Sequence, residues 1–398
     1  MKPGKRASRV CCRANAARSR RRAGRRHTPV CRKRPPPSLY NAKWWNVDMG
    51  LRVAVVANRK HAVKPSAGAP PDALAEYDAE ETVQGIQDAL RALGHEPSFL
   101  EADETFLDTV RAAQPDICFN IAEGLRGDSR ESHVPAVLEM LSIPYTGSKV
   151  LTHAISLDKV MTKRIWRDAG LPTAPFQSFR HPGIPLDERL SFPLFVKPSR
   201  EGSGMGINAN SIVHDEAELR AQVEWVIRTY RQPALVETYL PGREFTVGLL
   251  GNRYLPGDPP RSAFYDANGY HVFPIEEIDM SRAEIPGVYN TEAKSFAPVN
   301  VGGPQFHCPA DLPEDVTATI KALTVRAFET LHALDVSRVD FRLDETGAPQ
   351  LVEINTLPGL RPEFSDMCII AKAEGVSYQT LVAEILNLAL ERYGLSAD

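Results

Sequence analysis

Four polar side chains near the end of the chain, Arg338, Asp340, Glu353 and Asn355, fall at spacings that put them on one face of a β-hairpin. The segments SRVDFRL and PQLVEINTLPG both read as strands. Side chains alternate faces along a strand, so Arg338 and Asp340 point one way while Val339 and Phe341 point the other, and Glu353 and Asn355 repeat the pattern around Ile354. Asp344, Glu345, Thr346 and Gly347 between them carry turn chemistry. Two carboxylates and an amide oxygen are hard ligands, suited to Mg²⁺ held jointly with nucleotide phosphates better than to Zn²⁺. An adjacent arginine could neutralise phosphate charge. The competing reading is a solvated hairpin face with incidental charges.

A second candidate is FPLFVKPSREGSGMGI, a strand bearing Lys197 followed by the alternate glycines Gly202, Gly204 and Gly206. Backbone amides in such a loop can approach phosphate oxygens because no Cβ intervenes, and Ser203 adds a hydroxyl donor. The loop is not a P-loop, since GK[ST] before a helix is missing, and not a Rossmann fingerprint, since INANSIV after it reads as strand. A flexible β-hairpin lid over phosphates is the functional reading, and an ordinary glycine-rich hairpin the alternative.

The elements that must carry these groups are legible from periodicity. From Leu51 to about Val150, apolar strands (LRVAVVA, HEPSFLEA, DICFNIAEG) alternate with helices near Glu80 to Leu93 and Thr105 to Ala113, the α/β signature of a small parallel sheet. A short helix at Val134 to Leu141 precedes the helix LDKVMTKRIWRDAGLPT, which Ser156 can cap and which Gly170 and Pro172 terminate. Strand, glycine loop, strand, helix and two strands then span 191–250. Further strands flank a long helix near Glu314 to Leu334, and a last helix runs near Tyr378 to Tyr393. Residues 254–269, rich in proline and glycine, read as a surface insertion. The expected divisions are 1–48, 49–150, 151–236 and 237–398.

Charge is divided along the 398 residues: 1–48 hold 15 Lys or Arg and a single acid, Asp48, whereas the rest carries 32 Lys or Arg against 49 Asp or Glu. The basic segment lacks an apolar periodicity or a central hydrophobic stretch, so it is expected to be disordered and is not a secretory signal. It reads as a nucleic-acid or anionic-surface tail, a targeting segment, or sequence upstream of a start at Met49. No apolar run approaches the roughly 20 residues that span a bilayer, which argues against an integral membrane protein. Cys11, Cys12 and Cys31 lie in the tail, and Cys118, Cys308 and Cys368 are scattered, with no CxxC pair. A reducing, cytoplasmic setting follows. His133, His153 and His307 have no ligand partners at metal spacing.

Taken together, VKPSREGSGMG, LDKVMTKRIWRDAGLPT and VDFRL with LVEINTLPG resemble, in order and over roughly residues 51–390, the ATP-grasp ligases, and within them the D-alanine-D-alanine ligase family. The resemblance implies an ATP-grasp fold of mixed α/β class behind a small parallel-sheet N-terminal domain. It implies that Lys159 and Lys197 bind nucleotide phosphates, as mobile point charges. It implies that Glu237 accepts from the adenine amino group, that Tyr239 and Leu240 offer backbone contacts, and that Glu244 holds the ribose hydroxyls. Asp340, Glu353 and Asn355 correspond to ligands of two Mg²⁺ ions, for which Mn²⁺ can substitute, and Arg338 to the cation at the transferred phosphoryl. Gly359 corresponds to a backbone donor near the tetrahedral intermediate, and Lys294, in TEAKS, to the mobile-loop lysine at the γ-phosphate. The implied chemistry is activation of a carboxylate as an acylphosphate, then attack by an amine. A homodimer and a place in cell-wall precursor synthesis follow from the same resemblance.

Departures cluster where the family recognises amino acids. The N-terminal glycine-and-serine motif with its glutamate is replaced by NRKHAVKPSAGAPPDALAEYDAEE, leaving Glu76, Glu80 and Glu81 as ammonium partners to choose among. Where the family has His-Gly, this chain has Glu123-Gly124; the tyrosine after the loop lysine is Ser295; and the acceptor-carboxylate serine falls in GLRPEFSDM, with Arg361 and Ser365. Arg361 could pair with an acceptor carboxylate and Glu123 with a donor ammonium. Three functions therefore compete: the dipeptide ligase, a ligase of the same chemistry joining other amino-acid-like substrates, and a nucleotide-binding module without turnover. A nucleic-acid partner enters only through the basic tail.

Overall fold

A computed structural model describes residues 50–64, 68–254, 262–281, 291 and 304–395. The basic tail, Lys294 and Ser295 lie outside the described residues. Three sheets organise the chain. The first is parallel, in the order β2-β1-β3, from β1 (Arg52–Ala57), β2 (Glu96–Glu101) and β3 (Ile117–Asn120). All but the first residue of β1 are buried, as expected of a central parallel strand covered on both faces. Helices α1 (Glu80–Ala92) and α2 (Phe106–Ala113) make the crossovers, with Glu80 and Glu81 in the first turn of α1 where the helix dipole favours acids.

The second sheet, β4-β7-β5-β6, is antiparallel and comprises β4 (Phe176–Phe179), β5 (Leu194–Pro198), β6 (Ile212–Val213) and β7 (Ala234–Thr238), backed by α6 (Glu216–Tyr230). The strand expected from Ile207 begins only at Ile212. Asn208 and Ser211 close a turn first, the Ser211 hydroxyl accepting from the Asn208 amide at 3.0 Å. The glycine loop is thus turn rather than an extended hairpin.

The third sheet, β10-β9-β8-β11-β12, is built from β8 (Glu244–Gly251), β9 (Tyr270–Asp279), β10 (Gln305–His307), β11 (Asp335–Leu343) and β12 (Pro349–Asn355). Helix α7 (Glu314–Thr330) covers one face, and α8 (Asp366–Glu374) with α9 (Tyr378–Arg392) lies on the other side. The largest apolar core joins β1 and α1 residues such as Val53, Val55 and Ile86 to α9 residues such as Leu381, Ile385 and Leu388, so the first sheet is anchored on the C-terminal helices.

The helix expected in LDKVMTKRIWRDAGLPT is α5 (Lys159–Asp168), and a separate helix, α4 (Val150–Leu157), precedes it. Asp158, not Ser156, caps α5, its carboxylate accepting from the Met161 amide at 3.0 Å. Ser156 instead turns inward, its hydroxyl 2.8 Å from that of Thr356. α3 (His133–Leu141) follows a single 3-10 turn at Arg130–Ser132.

Asp335 ties distant parts together. It is fully buried with φ +63°, a left-handed conformation that aspartate tolerates better than most residues. Its carboxylate accepts from the Gly147 amide, the Asn252 side chain and the Arg392 guanidinium, each at 2.8 Å. Asp335→Ala should leave Arg392 without its counter-charge and destabilise the fold by about 3–5 kcal/mol. Urea denaturation measures this, and a loss below about 1 kcal/mol would contradict the assignment.

Candidate active site

The hairpin β11–β12 has the register that the sequence implies: Arg338 stands opposite Asn355 and Asp340 opposite Glu353, with an irregularity only after Asp340. On the other edge of β11, Asp340 faces Thr246 of β8, which in turn faces Glu276 of β9. One row of side chains, Glu353, Asp340, Thr246 and Glu276, therefore crosses four strands. The Thr246 hydroxyl donates to Asp340 at 2.6 Å and the Asn355 amide donates to it at 3.1 Å. Arg338 bridges Asp340 and Asp366, both at 3.1 Å. Among the described residues no group of three His, Cys, Asp or Glu side chains is gathered for a metal. The hairpin offers two carboxylates and an amide, a set of hard oxygen donors that fits Mg²⁺ when phosphate oxygens complete the shell.

Two cavities meet here. The smaller, about 90 Å³, lies between the second and third sheets and is lined by Lys197, Gly204, Glu237, Tyr239, Leu240 and Glu244 among others. The larger, about 470 Å³, lies between the first and third sheets and includes Glu123, Ser203, Arg338, Asn355, Gly359 and Arg361 in its wall. Lys159 and Glu353 line both. Lys159 sits at the first position of α5, its Nζ 3.2 Å from Glu353 and donating to the Glu201 carbonyl at 2.6 Å.

Glu237 is clasped between two buried lysines, 2.9 Å from Lys163 and 2.8 Å from Lys197. Burial alone would raise its pKa, but the two ammonium groups outweigh that and bring it down to about 2. Burial lowers the Lys163 pKa despite Glu237, while for Lys197 the carboxylates of Glu237 and Glu353 outweigh burial and raise it. The two pairs fix Glu237 and hold Lys197 beside the cavity. Sequence reading missed Lys163, although it stands one helical turn after Lys159 and so on the same face. Tyr239 stacks on Phe195 at 6.4 Å between centroids and lies 5.2 Å beneath the Arg342 guanidinium, which is also 3.7 Å from Glu244.

In the larger cavity, Glu76 is the member of the three candidate glutamates that lines the wall; Glu80 and Glu81 are exposed, Glu81 lying 3.9 Å from Arg361. Glu76 accepts from the Gly202 amide and pairs with Arg130 at 2.5 Å. Asp72 likewise accepts from the Gly206 amide at 2.9 Å and from the Tyr230 hydroxyl at 2.8 Å. Two amides of the glycine loop thus meet carboxylates of the segment before α1. Ser203 adopts φ +48° and its carbonyl accepts from Thr291 at 3.0 Å. Gly359 is a close approach: a Cβ there would lie 2.9 Å from Ser365 Oγ. The Ser365 hydroxyl accepts from the Arg361 amide at 3.0 Å, and the Arg361 guanidinium covers the Phe364 ring at 4.9 Å.

Glu276, also missed, is fully buried, and among the described residues neither of its carboxyl oxygens has a hydrogen-bond partner. Burial, reinforced by Asp366, pushes its pKa up to about 9 against the opposing pull of Arg338. Its only sequence signal was an acid at an inward position of a strand.

Comparison with known proteins shows the family and the fold. The family description "D-ala D-ala ligase C-terminus" matches residues 165–387. The D-alanine-D-alanine ligase of Nitrosococcus oceani is 33% identical over 324 residues, covering 79% of this chain and 92% of that protein. This chain belongs to the D-alanine-D-alanine ligase family. An uncharacterized protein of Sinorhizobium fredii, y4sG, is 35% identical over 353 residues, 86% of this chain and 98% of its own. A Bacillus anthracis D-alanine-D-alanine ligase solved with ATP superposes with a TM-score of 0.63 at 20% identity, over 86% of this chain and 99% of that one. The fold is the ATP-grasp fold that the sequence implies. Among the described residues no helix is long and apolar enough to cross a membrane.

His153 gives this family member a measurable acid sensitivity. It is fully buried, its Nδ1 lies 2.9 Å from the Thr356 hydroxyl and 4.0 Å from Glu131, and burial holds its pKa at about 4, below the usual 6.5. The unfolded chain therefore binds a proton that the folded one refuses between those two values, so stability is full above pH 6.5 and is lost as pH falls toward 4. The contribution is up to about 3 kcal/mol. His153→Asn, which can keep the bond to Thr356, should flatten this part of the stability profile in thermal melts between pH 4 and 7, and an unchanged slope would contradict it.

Proposed function

We propose that the protein is an ATP- and Mg²⁺-dependent carboxylate-amine ligase that works through an acylphosphate. The observation that carries this reading is the meeting of the two cavities at Lys159 and Glu353, which gives a nucleotide and a carboxylate substrate one shared point of contact. The adenine would lie beside Tyr239 and Leu240 with Glu237 at its amino edge, the ribose at Glu244, and the phosphates toward Lys159 and Lys197. At about 90 Å³ the smaller cavity is too narrow for a nucleotide as it stands. The lid sheet bearing β5 and the glycine loop must swing outward to admit one.

Mg²⁺ at Asp340, Glu353 and Asn355 would neutralise charge on the transferred phosphoryl. The resident ion pairs support this reading. Lys159 and Arg338 now neutralise Glu353 and Asp340, and both cations gain phosphate partners in the same measure as the carboxylates gain a metal. A substrate carboxylate oxygen bonds to the γ-phosphorus as the bond to the β-phosphate oxygen breaks, releasing ADP. The amine nitrogen then bonds to the acyl carbon. The Gly359 amide and Arg338 stabilise the oxyanion, and inorganic phosphate leaves with the bonding pair and the amine proton. Positioning and charge neutralisation supply most of the acceleration.

The amino-acid side favours a substrate pair other than two D-alanines, because Glu123 stands where a histidine is expected. The first test is ADP release with Mg²⁺ against D-alanine and a panel of D- and L-amino acids. Turnover requiring two amino acids and yielding an amide supports the reading, and ATP binding without ADP release from any pair defeats it. Glu353→Gln should cut ADP release on the order of 100-fold while the far-ultraviolet circular dichroism stays unchanged. Undiminished turnover would remove Glu353 from the metal site.

A further inference from the structure

The wall of the larger cavity contributed by the first half of the chain carries more carboxyl groups than one amino-acid ammonium requires. Asp78, just before α1, Glu123, just after β3, and Glu131, in the 3-10 turn, all line it, beside Glu76. Arg130, the guanidinium in this corner, is committed to Glu76 at 2.5 Å and to Glu201 at 3.1 Å. Lys159 serves Glu353 and Arg338 serves Asp340 and Asp366, while Lys60 is exposed.

Among the described residues no lysine or arginine forms an ion pair with the other three carboxyls, and Arg130 reaches Glu123 and Glu131, and Lys159 reaches Glu131, only through longer-range attraction. Among the described residues Glu123 has neither a hydrogen-bond nor an ion-pair partner. Glu131, whose side chain is only 12% exposed, meets the His153 ring at 4.0 Å, and that ring stays neutral at pH 7 because burial depresses its pKa. Asp78 reaches the Thr82 hydroxyl. Uncompensated carboxyls in a mostly buried site cost stability. The corner answers by holding protons: burial pushes Asp78 and Glu131 up to about 8, and burial together with Glu131, Glu76 and Asp78 raises Glu123 well above the carboxylate range. A neutral amino-acid side chain would gain nothing from such a wall, whereas a second ammonium would meet its complement.

We propose that the amino acid activated in this cavity is a diamino acid, its carboxylate toward Lys159 and Arg338 and its two ammonium groups held by Glu123, Glu131 and Asp78. This rests on the ligase reading above and narrows it to a substrate class. Entry of the dication draws the protons off these carboxyls, so binding releases protons to the buffer.

The test compares diaminopropionate, diaminobutyrate, ornithine and lysine, in both enantiomers, with alanine and norvaline as neutral controls. ADP release is measured with the full-length protein, ATP and Mg²⁺. The inference expects the best diamino acid to exceed norvaline in kcat/KM on the order of 100-fold. Glu123→Gln and, separately, Glu131→Gln should each lower that ratio at least about tenfold. Neutral amino acids turned over as well as diamino ones would overturn the inference while leaving the ligase reading intact. If no amino acid gives ADP, the ligase reading falls, and calorimetry of ornithine and lysine in buffers of different ionisation enthalpy decides the inference alone. Proton release on binding that is lost in Glu123→Gln supports it, and no binding ends it.

Discussion

The register of a single hairpin governs the candidate site of this molecule. Pairing Asp340 with Glu353 and Arg338 with Asn355 brings the four groups onto one face, and a slip of one residue in either strand would send its two groups to the opposite face. That register is fixed from both edges of β11. Val339 and Phe341 point into the apolar core on the far face, and β8 pairs with β11 from Asp335 to Arg342. Asp335 anchors the start of the strand through three hydrogen bonds, two of them buried. The polar row is therefore held by an apolar one, and the cost of gathering charge is met by packing behind it.

Around that row, charges are matched in pairs rather than dispersed. Glu237 takes two lysines, Glu353 one lysine, and Arg338 two aspartates. Each pair is mostly buried, where removing one partner is costly and exchanging it for another charge is not. Such an arrangement keeps long side chains in place before any ligand arrives, which lowers the ordering cost of binding a polyanion.

Much of this was legible in the sequence because it is local. Strand alternation and the turn at Asp344 to Gly347 place the hairpin, and the apolar runs with their intervening helices place the first sheet. What escaped was set by tertiary contact. The cap of α5 fell to Asp158 because Thr356, 200 residues away in the chain, and the nearby His153 carbonyl draw Ser156 inward. The lid strand began late because Asn208 and Ser211 close a turn on themselves. Glu76 could not be singled out from Glu80 and Glu81 until the glycine loop and Arg130 were brought against it. Lys163 carried no signal of its own in the sequence, because its role is set by Glu237, Thr173 and the Leu351 carbonyl closing around it.

The two walls of the larger cavity come from separate stretches of chain. Glu76, Asp78, Glu123 and Glu131 all precede Leu157, whereas Arg338, Glu353, Asn355 and Gly359 all follow it. On the proposed reading, the carboxyls that would meet substrate ammonium groups and the groups that would serve phosphoryl chemistry are thus inherited on different segments. On that reading, mutation, insertion or recombination in the first half would redraw which amine enters while the second half continues unaltered, so new substrates could be acquired within this scaffold without rebuilding its engine.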